Sequence, residues 1–525
     1  MTVFPDILRR PDFVSVRVDE KTYVLEANSD ITWSGPGVDV EAQISANGLH
    51  IALDASAPIK TITLRWRGSF PAGARFLGDA WERGYGDLEW RGMVAERPLP
   101  WYFLATNGTQ SAGYGVDTGA NSLCNWRVDD GGITLQLHVG CGDSGVQLGG
   151  RHLEVATVRQ LESEASAFET ARAFCRMLCP SPLLPSQPVY GGNDWYYAYG
   201  NNSRDSILRD SALISELSPG GDNLPFMVID DGWQGCRAPE NGGPWDISSA
   251  RFGDMDDVAS QMQQLGVRPG LWFRPLLTTA NVPDSWRFGR RGGQRHLGGM
   301  TLDPSVPEAL EFVAEDMRRF REWGFQLVKH DFSMMDIFGK WGFDMGTNPT
   351  GNNGWHFADR TRTSAEIIKD FFGTLRKAAG PDVMLIGCNT IGHLGAGLFE
   401  LQRTGDDTSG YEWERTRKMG INTLAFRMSQ HDTFFAVDAD CVGLTTHVPW
   451  ELNRQWLDVL ARSGTPLFVS ADPKALGAEQ KQAMREAFAV AAKPQPTAEP
   501  LDWLDTTSPT RWKMGDEIKT YTWSQ

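Results

Sequence analysis

The feature that most constrains the fold is an alternation, beyond Pro188, of short apolar runs with amphipathic helical stretches. This alternation is typical of parallel βα units. Eight such units in about 300 residues predict a (β/α)₈ (TIM) barrel, with its active site at the C-terminal ends of the strands. The apolar runs begin near Val189, Phe226, Arg268, Phe325, Val383, Leu398, Thr433 and Pro466.

Two of the helical stretches show the pattern in detail. Before the fourth run, Asp303 is placed to cap a helix that Gly324 ends, and between them lies an apolar stripe of Leu310, Val313, Met317 and Phe320. A second stripe follows the fourth run and stops at Gly380-Pro381; it consists of Ile368, Phe371, Phe372 and Leu375. Only the interval between runs five and six is too short for a full helix.

The flanks of this region differ from it. Residues 1–181 alternate short β-branched or aromatic runs with Gly, Asn and Asp turns, which predicts an antiparallel β domain. A proline-rich joint from Cys179 to Pro188 marks the boundary. We therefore expect a barrel domain over 186–495 and a short C-terminal β segment over 496–525.

Charge and composition exclude two classes of partner, nucleic acids and membranes. Acidic residues outnumber basic ones by 66 to 50, and the resulting net charge of −16 would repel nucleic acid. Residues 1–10 lack the order of a signal peptide, and no apolar run is long enough to span a membrane. We expect a soluble, cytoplasmic protein without a membrane partner.

Cysteine and tryptophan usage adds two expectations. The seven cysteines are scattered, unlike a disulfide framework, and are expected to be reduced. The 20 tryptophans suit stacking on sugar rings, although filling a core would also account for them. The tryptophan content thus favours a carbohydrate-binding protein but does not establish one.

Acidic side chains dominate the predicted strand ends. Carboxylates there can bind sugar hydroxyls, and two of them can carry out acid/base or nucleophilic chemistry on a glycosidic bond. The strand-end residues are Asn193, Asp194, Asp230, Asp231, Arg274, Lys329, Asp331, Cys388, Asn389, Arg403, Asp407, Asp438 and Asp440.

The fourth strand end provides a candidate nucleophile. Strand alternation places Lys329 and Asp331 on one side and His330 on the other. A cation two residues away favours the ionised form that a nucleophile needs. His330 is expected to pack against the helix layer; a base role for it would require the strand to be offset by one residue.

The sixth strand end provides a candidate acid. Asp406 and Asp407 are adjacent, and neighbouring like charges can raise one pKa toward that of a general acid. Spacing alone does not choose between them, and turn-forming aspartates are the alternative. No P-loop, zinc-protease, nucleophile-elbow or dinucleotide motif competes, so no metal and no cofactor are expected.

The order and spacing of these motifs resemble the retaining α-galactosidases of glycoside hydrolase family thirty-six, with raffinose synthases as relatives. The match covers about residues 186–495. It rests on Asn193-Asp-Trp195, Phe226-Met-Val-Ile-Asp-Asp-Gly-Trp233, Gly270-Leu-Trp272-Phe-Arg-Pro, Leu302-Asp-Pro-Ser, Lys329-His-Asp331, Cys388-Asn389 and Arg403-Thr-Gly-Asp-Asp407. The resemblance implies a β-sandwich before the barrel and a small β domain after it.

The resemblance also implies roles for individual residues. Asp331 corresponds to the nucleophile and Asp407 to the acid/base, while Asp406 becomes a neighbour. Asp230 and Asp231 would bind the hydroxyls at C4 and C6 that distinguish galactose. The other implied substrate-binding residues are Trp195, Trp233, Trp272, Lys329, Cys388, Asn389, Arg403 and Asp440.

Two departures from the family pattern leave alternatives open. The loop Cys388-Asn-Thr-Ile-Gly replaces Cys-x-Ser-Gly-Gly, which leaves recognition at C2 open, and Asp438-Ala-Asp440 replaces Asp-Pro-Asp. The leading hypothesis is hydrolysis of terminal α-galactosyl bonds in oligosaccharides or galactosides. The alternatives are an α-galactosyl transglycosylase, a hydrolase of a related α-glycoside such as an α-N-acetylgalactosaminide, and a non-catalytic sugar-binding protein; a homo-oligomer is also left open.

Overall fold

The computed structural model describes residues 3–235, 241–288, 300–351 and 354–524. Its N-terminal part consists of antiparallel strands and one helix. The strands are β1 Phe13–Val18, β2 Lys21–Val24, β3 Glu26–Ala27, β4 Thr32–Gly35, β5 Val38–Ser45, β6 Gly48–Ala55, β7 Ile59–Arg67, β8 Arg75–Gly78, β9 Leu99–Pro100, β10 Tyr102–Thr106, β11 Ser111–Val116, β12 Leu123–Asp129, β13 Gly132–His138 and β14 Leu153–Ser163, and helix α1 Ala167–Leu178 follows them.

These strands form two antiparallel sheets. The six-stranded sheet has the order β2-β1-β7-β13-β12-β9, and the eight-stranded sheet has the order β3-β4-β5-β6-β14-β11-β10-β8. Alternate residues turn inward, as Leu64 and Trp66 do on β7 and Val40 does on β5. Both buried faces belong to one hydrophobic core. The predicted antiparallel β region is confirmed.

The next strands are all parallel. They are β15 Tyr190–Asn193, β16 Phe226–Ile229, β17 Arg268–Phe273, β18 Leu327–His330, β19 Met384–Gly387, β20 Leu401–Arg403, β21 Ala436–Asp438, β22 Cys441–Leu444 and β23 Leu467–Ala471. They form a nine-stranded curled sheet of order β21-β20-β19-β18-β17-β16-β15-β23-β22. Its two outermost strands, β21 and β22, are separated in the chain only by Ala439 and Asp440.

Helices connect these strands. They are α2 Trp195–Ala198, α3 Arg204–Leu217, α4 Met255–Gln264, α5 Pro307–Glu322, α6 Ser333–Phe338, α7 Ser364–Ala379, α8 Gly392–Gly395, α9 Trp413–Thr416, α10 Thr423–Arg427, α11 Trp450–Arg462 and α12 Ala478–Ala491. As predicted, only the four-residue α8 lies between β19 and β20. A three-stranded antiparallel sheet closes the described chain, formed by β24 Glu499–Pro500, β25 Arg511–Met514 and β26 Glu517–Thr520.

Local sequence explains where these helices lie. Helix α7 begins with a capping box between Thr363 and Glu366, buries the predicted apolar stripe, and ends at Gly380, whose φ of 70° suits glycine. The predicted stripe of α5 is likewise buried, but its predicted cap is wrong. Asp303 instead accepts hydrogen bonds from the backbone nitrogens of Ser305 (2.9 Å) and Ala358 (2.8 Å), and α5 begins at Pro307.

The described cysteines are free thiols, in agreement with the expected reduced state. Six cysteines are buried and form no disulfide, namely Cys124, Cys141, Cys175, Cys179, Cys388 and Cys441, whereas Cys236 lies outside the described residues. Within the described ranges, no helix combines the length and the apolar character needed to cross a membrane.

Candidate active site

A cavity of about 260 Å³ lies where the parallel strands end. Seven of the twelve residues predicted for the site line it: Trp195, Asp230, Asp231, Trp272, Lys329, Asp331 and Asp407. The other lining residues are Arg83, Asn241, Phe332, Trp341, Asp406 and Arg415. The structure thus brings residues from five parallel strand ends, and one from the N-terminal β region, to a single cavity.

Asp331 is held at the end of β18 by two donors. Its Oδ1 accepts a hydrogen bond from the backbone nitrogen of Phe332 (2.7 Å), and its Oδ2 lies 3.3 Å from the indole nitrogen of Trp272. Phe332 has a left-handed backbone with φ of 60°, which is unusual for a bulky residue. The turn at Phe332 directs the carboxylate toward the cavity rather than along the strand.

Asp407 is surrounded by cations. Its Oδ1 lies 3.3 Å from Nη2 of Arg403, and 36% of its side chain is exposed. Burial raises the pKa of Asp407, but the charges of Arg403, Lys329, Arg83 and Arg415 outweigh that effect and lower the pKa to about 2. The carboxylate is therefore ionised in the free site.

The raised pKa that adjacent aspartates can produce is not found at Asp407, whose pKa is lowered instead. Asp406 is paired with two arginines, at 3.0 Å from Nη2 of Arg83 and 2.8 Å from Nη2 of Arg415. Its charge is matched by these partners, and cations dominate the surroundings of Asp407.

Asp230 and Lys329 form a buried ion pair. The Lys329 ammonium lies 2.7 Å from Oδ2 of Asp230, which is therefore its ion-pair partner. Asp230 also accepts hydrogen bonds from the Asn193 side chain (2.7 Å) and from the backbone nitrogen of Asp231 (2.9 Å). Such a fixed carboxylate-ammonium pair can present an acceptor and a donor to adjacent sugar hydroxyls.

Asp231 and Asp194 flank this pair. Asp231 accepts from the side-chain nitrogens of Gln234 (2.6 Å) and Asn241 (3.1 Å). Asp194 lies behind the cavity, fully buried, and accepts from the backbone nitrogen of Asp230 (2.8 Å). Burial raises the pKa of Asp194 to about 8, and the charge of Asp230 adds to this effect.

Three predicted residues lie behind the cavity wall and hold Asp407 from there. Arg403 is fully buried and donates to Asp440 (2.8 Å) as well as to Asp407. Asp440 accepts further hydrogen bonds from the backbone nitrogen of Thr408 (2.8 Å) and the hydroxyl of Tyr196. The Cys388 thiol lies 3.5 Å from Arg403. Arg403, Cys388 and Asp440 therefore orient the acid/base candidate and do not line the cavity.

Trp233 and Asn389 are also displaced from the predicted wall. Trp233 is completely buried, donates to the backbone oxygen of Trp272 (2.9 Å) and packs against Trp245. Gly232, at φ of 119°, turns the chain after Asp231, and the Trp233 indole enters the aromatic layer behind Trp272.

The Asn389 side chain bridges the Glu82 carboxylate and the backbone of α6. Its nitrogen donates to Glu82 (2.7 Å), and its oxygen accepts from the backbone nitrogen of Met335 (2.9 Å). Both polar ends are engaged away from the cavity. His330, as predicted, faces the helix layer, with its ring 6.1 Å from that of Phe372 in α7 and 4.5 Å from that of Phe399, and burial lowers its pKa to about 3.

Sequence reasoning missed the lining residue that comes from the N-terminal part. Arg83 pairs with Asp406, and its guanidinium lies 5.8 Å from the ring centroid of Trp341. No strand-end pattern marks Arg83, because its segment follows β8 and reaches the site only through the tertiary fold. Phe332 lies just beyond β18, and a wider window at that strand end would have included it, whereas Asn241 lies well past β16, Trp341 lies past α6 and Arg415 lies in α9.

Among the residues described, no group of three or more His, Cys, Asp or Glu side chains is arranged to hold a metal ion. The chemistry that the cavity offers is that of paired carboxylates, cations and aromatic faces.

Comparison with known proteins gives a relationship that is clear in structure and weak in sequence. No family model matches the chain. A 92-residue stretch is 27% identical to α-galactosidase AgaA of Geobacillus stearothermophilus, covering 17% of this chain and 12% of that protein.

The solved structures are similar over nearly the whole chain. An α-galactosidase of Thermus thermophilus, solved with p-nitrophenyl α-D-galactopyranoside, is 19% identical with a TM-score of 0.62, covering 97% of this chain and 99% of that one. A variant of G. stearothermophilus AgaA, a GH36 α-galactosidase solved with 1-deoxygalactonojirimycin, is 16% identical with a TM-score of 0.61, covering 92% and 75%. The resemblance inferred from the motifs is thus confirmed at the level of the fold.

Proposed function

We propose that this chain is a retaining α-galactosidase that hydrolyses terminal α-galactosyl residues by double displacement. One observation carries the proposal: Asp331 and Asp407 line the same cavity, together with Asp230, Asp231 and Lys329. Glycosidases use two carboxylates beside a sugar-binding cavity for catalysis. Proteins of the same fold were solved with stachyose and raffinose, which supports an oligosaccharide substrate.

The mechanism assigns one step to each carboxylate. Asp331 attacks C1 of galactose while Asp407 donates a proton to the departing glycosidic oxygen. Asp407 then takes a proton from water, whose oxygen attacks C1 and releases Asp331. Two inversions give net retention, and neither step calls for a metal or a cofactor.

Proton donation requires Asp407 to be protonated when the substrate is bound. The surrounding cations keep it ionised in the free site. A bound galactoside excludes water from the exposed part of this carboxylate and sets the glycosidic oxygen beside it, and both changes favour the protonated form. Substrate binding and acid function are therefore coupled in this proposal.

Asp230, Asp231 and Lys329 form the galactose-recognition group of the proposal. Trp195 and Trp272 are side chains that can cover the faces of the sugar ring. Arg403, Asp440 and Cys388 hold Asp407, and Asn389 and Trp233 support the wall.

The proposed architecture is a barrel between two β regions. Because β21 and β22 follow one another after two residues, we propose that the nine-stranded sheet closes into a complete TIM barrel through this split strand. The proposed boundaries are 1–181 for a β-sandwich, 186–495 for the barrel and 496–525 for a C-terminal β appendage.

The decisive experiment is to incubate the purified protein with p-nitrophenyl α-D-galactopyranoside and follow the product by NMR. The expected first product is α-galactose, which then mutarotates. If β-galactose is released first, the double-displacement scheme is wrong. Transfer of galactose to an added sugar in preference to water would favour a transglycosylase.

Specificity is tested with aryl α-glycosides that differ only at C2 or C4. A carboxylate built to accept a hydroxyl is left unpaired by the other epimer, so the galacto configuration should be preferred over gluco by at least about 10²-fold in kcat/KM. Asp231→Ala should remove most of this preference while the protein stays folded. Unchanged discrimination in that variant would place sugar recognition elsewhere.

A further inference from the structure

A second cavity, of about 330 Å³, lies beside the candidate active site. Resting on the function proposed above, we propose that this second cavity receives the leaving-group sugar of an oligosaccharide substrate, and that Phe343 provides its stacking surface.

The two cavities meet at Arg83, which lines both of them. On one side of this meeting point Trp341 lines the catalytic cavity, while the next residues along the chain, Gly342 and Phe343, line the second one. In this proposal a substrate whose galactose fills the first cavity extends its next sugar past Arg83 into the second. Trp341, Gly342 and Phe343 lie in the segment that follows α6, so one stretch of chain beyond Asp331 contributes to both cavities.

The walls of the second cavity are fixed to each other. The indole of Trp81 donates to the backbone oxygen of Gly346 (2.8 Å), and the backbone nitrogen of Gly342 donates to Glu82 (3.2 Å). A Cβ at Gly342 would lie 2.9 Å from the ring of Tyr85, so the two loops are in close contact. The cavity is thus a formed feature of the junction between the N-terminal β region and the parallel strands.

Phe343 has the exposure expected of a sugar platform. It is 72% exposed, and its ring centroid lies 6.4 Å from that of Tyr85. Because Phe343 lines the cavity, its exposed ring is accessible to an occupant of that cavity. Aromatic faces stack on the apolar faces of pyranose rings.

The charges around the cavity favour a neutral, hydroxyl-rich occupant. Arg83, Arg91 and Arg97 are balanced by Asp79, Glu82 and Asp87. Equal numbers of basic and acidic groups provide hydrogen-bond donors and acceptors without a net charge that would select an ion. A sugar satisfies this arrangement.

A second exposed aromatic, Tyr411, is the alternative platform. It extends from the cavity residue Trp195 through Tyr199, but its ring is stacked on Tyr199 at 5.0 Å and packed against His447 at 4.8 Å. These contacts occupy the ring, and Tyr411 lines neither of the two cavities. We therefore assign the leaving group to Phe343 and use Tyr411 as the matched control.

The test compares raffinose, whose leaving group is a disaccharide, with α-galactosyl fluoride, whose leaving group is a single atom. Phe343→Ala should lower kcat/KM for raffinose about tenfold and leave that for α-galactosyl fluoride within about twofold, since only the first substrate reaches the second cavity. Both replaced side chains are more than half exposed, so Phe343→Ala and Tyr411→Ala are expected to fold. Tyr411→Ala should change neither substrate selectively.

Each other outcome overturns the inference for an identifiable reason. Equal effects of Phe343→Ala on both substrates would show that the second cavity does not hold the leaving group. A selective loss of raffinose turnover in Tyr411→Ala, with none in Phe343→Ala, would place it on the other aromatic surface. If the unaltered protein fails to cleave even α-galactosyl fluoride, the proposed function itself is wrong.

Discussion

At the scale of single residues, the two candidate catalytic carboxylates have different surroundings. Asp331 is fixed by a backbone nitrogen and an indole nitrogen, whereas Asp407 is partly exposed and lies among arginines and Lys329. A rigidly directed carboxylate suits attack on C1, and one open to solvent suits exchange of protons with a leaving group and with water.

The first prediction concerns Asp331. Asp331→Gly removes the nucleophile, so turnover of every galactoside should fall by more than about 10⁴-fold. Azide entering the vacated space should attack C1 and restore part of the rate, giving β-galactosyl azide, which mass spectrometry and NMR identify. An inactive variant that yields no azide adduct, or a fully active one, would contradict the assignment.

The second prediction separates Asp407 from Asp406. Asp407→Ala should lose about 10²- to 10⁴-fold on galactosides with poor leaving groups and far less on those with acidic phenols, because only the former need a proton. A glycosyl-enzyme should then accumulate, visible by mass spectrometry. Asp406→Ala is the matched control and should not show this dependence, since Asp406 is engaged by Arg83 and Arg415. If the dependence appears in Asp406→Ala instead, the acid/base is one residue earlier.

At the scale of elements, the strands and helices were largely readable from local patterns. The predicted runs correspond to parallel strands that begin within about three residues of their expected starts, as β16 does at Phe226 and β17 at Arg268. Hydrophobic periodicity depends only on the local backbone geometry, so it predicts strands and helices without knowledge of the tertiary structure. The start of α5 could not be predicted from the sequence, because the Asp303 carboxylate accepts a hydrogen bond from the backbone nitrogen of Ala358, 55 positions away.

The third prediction concerns Asn389, which lies just beyond β19 and contacts two other segments, at Glu82 and Met335. Asn389→Ala leaves an oxygen of Glu82 and the backbone nitrogen of Met335 without their partner, which should cost about 1–3 kcal/mol of stability for each buried group. Because Glu82 adjoins Arg83, kcat/KM for α-galactosyl fluoride should fall as well. Differential scanning calorimetry and kinetics below the Tm measure the two effects.

Asn453→Ala is the control for this variant. Asn453 is equally buried and donates to the backbone oxygen of Gly443 (2.8 Å), away from both loops. It should lower the Tm without lowering kcat/KM. Equal kinetics in the two variants would mean that Asn389 contributes only to stability.

At the scale of the whole molecule, burial raises the pKa of some carboxyl groups and lowers the pKa of some histidines. It raises the pKa of Asp194 to about 8 and that of Asp316 to about 7, and it lowers the pKa of His138 and His393 to about 4. The folded state therefore holds extra carboxyl protons between roughly pH 4 and 8, whereas the unfolded state holds extra histidine protons between roughly pH 4 and 6.5. The two effects oppose each other below pH 6.5, and above it only the carboxyl effect remains.

The fourth prediction follows from this sign. Between about pH 6.5 and 8 the Tm should fall by a few degrees, because the unfolded chain has already lost these carboxyl protons while the folded state still holds them. Asp194→Asn should flatten this decline, whereas Asp382→Asn, at a side chain 82% exposed, should leave it unchanged. Thermal unfolding in buffers of constant ionic strength provides the measurement. A Tm that rises over this range would contradict the assignment of a protonated Asp194.

The sequence by itself determined which segments form strands and helices and which polar residues lie at each strand end. It also determined on which face of a strand each side chain lies. Lys329 and Asp331 line the cavity while His330 faces the helices, because alternation along a strand is fixed by the backbone alone. Tertiary structure decided the partners. Lys329 pairs with Asp230, 99 positions away, and Asn389 with Glu82, 307 positions away. Electrostatic and hydrogen-bond interactions act over a few ångströms in space and leave no periodic trace in the chain, so Arg83 and the low pKa of Asp407 emerge only once the fold has brought these residues together.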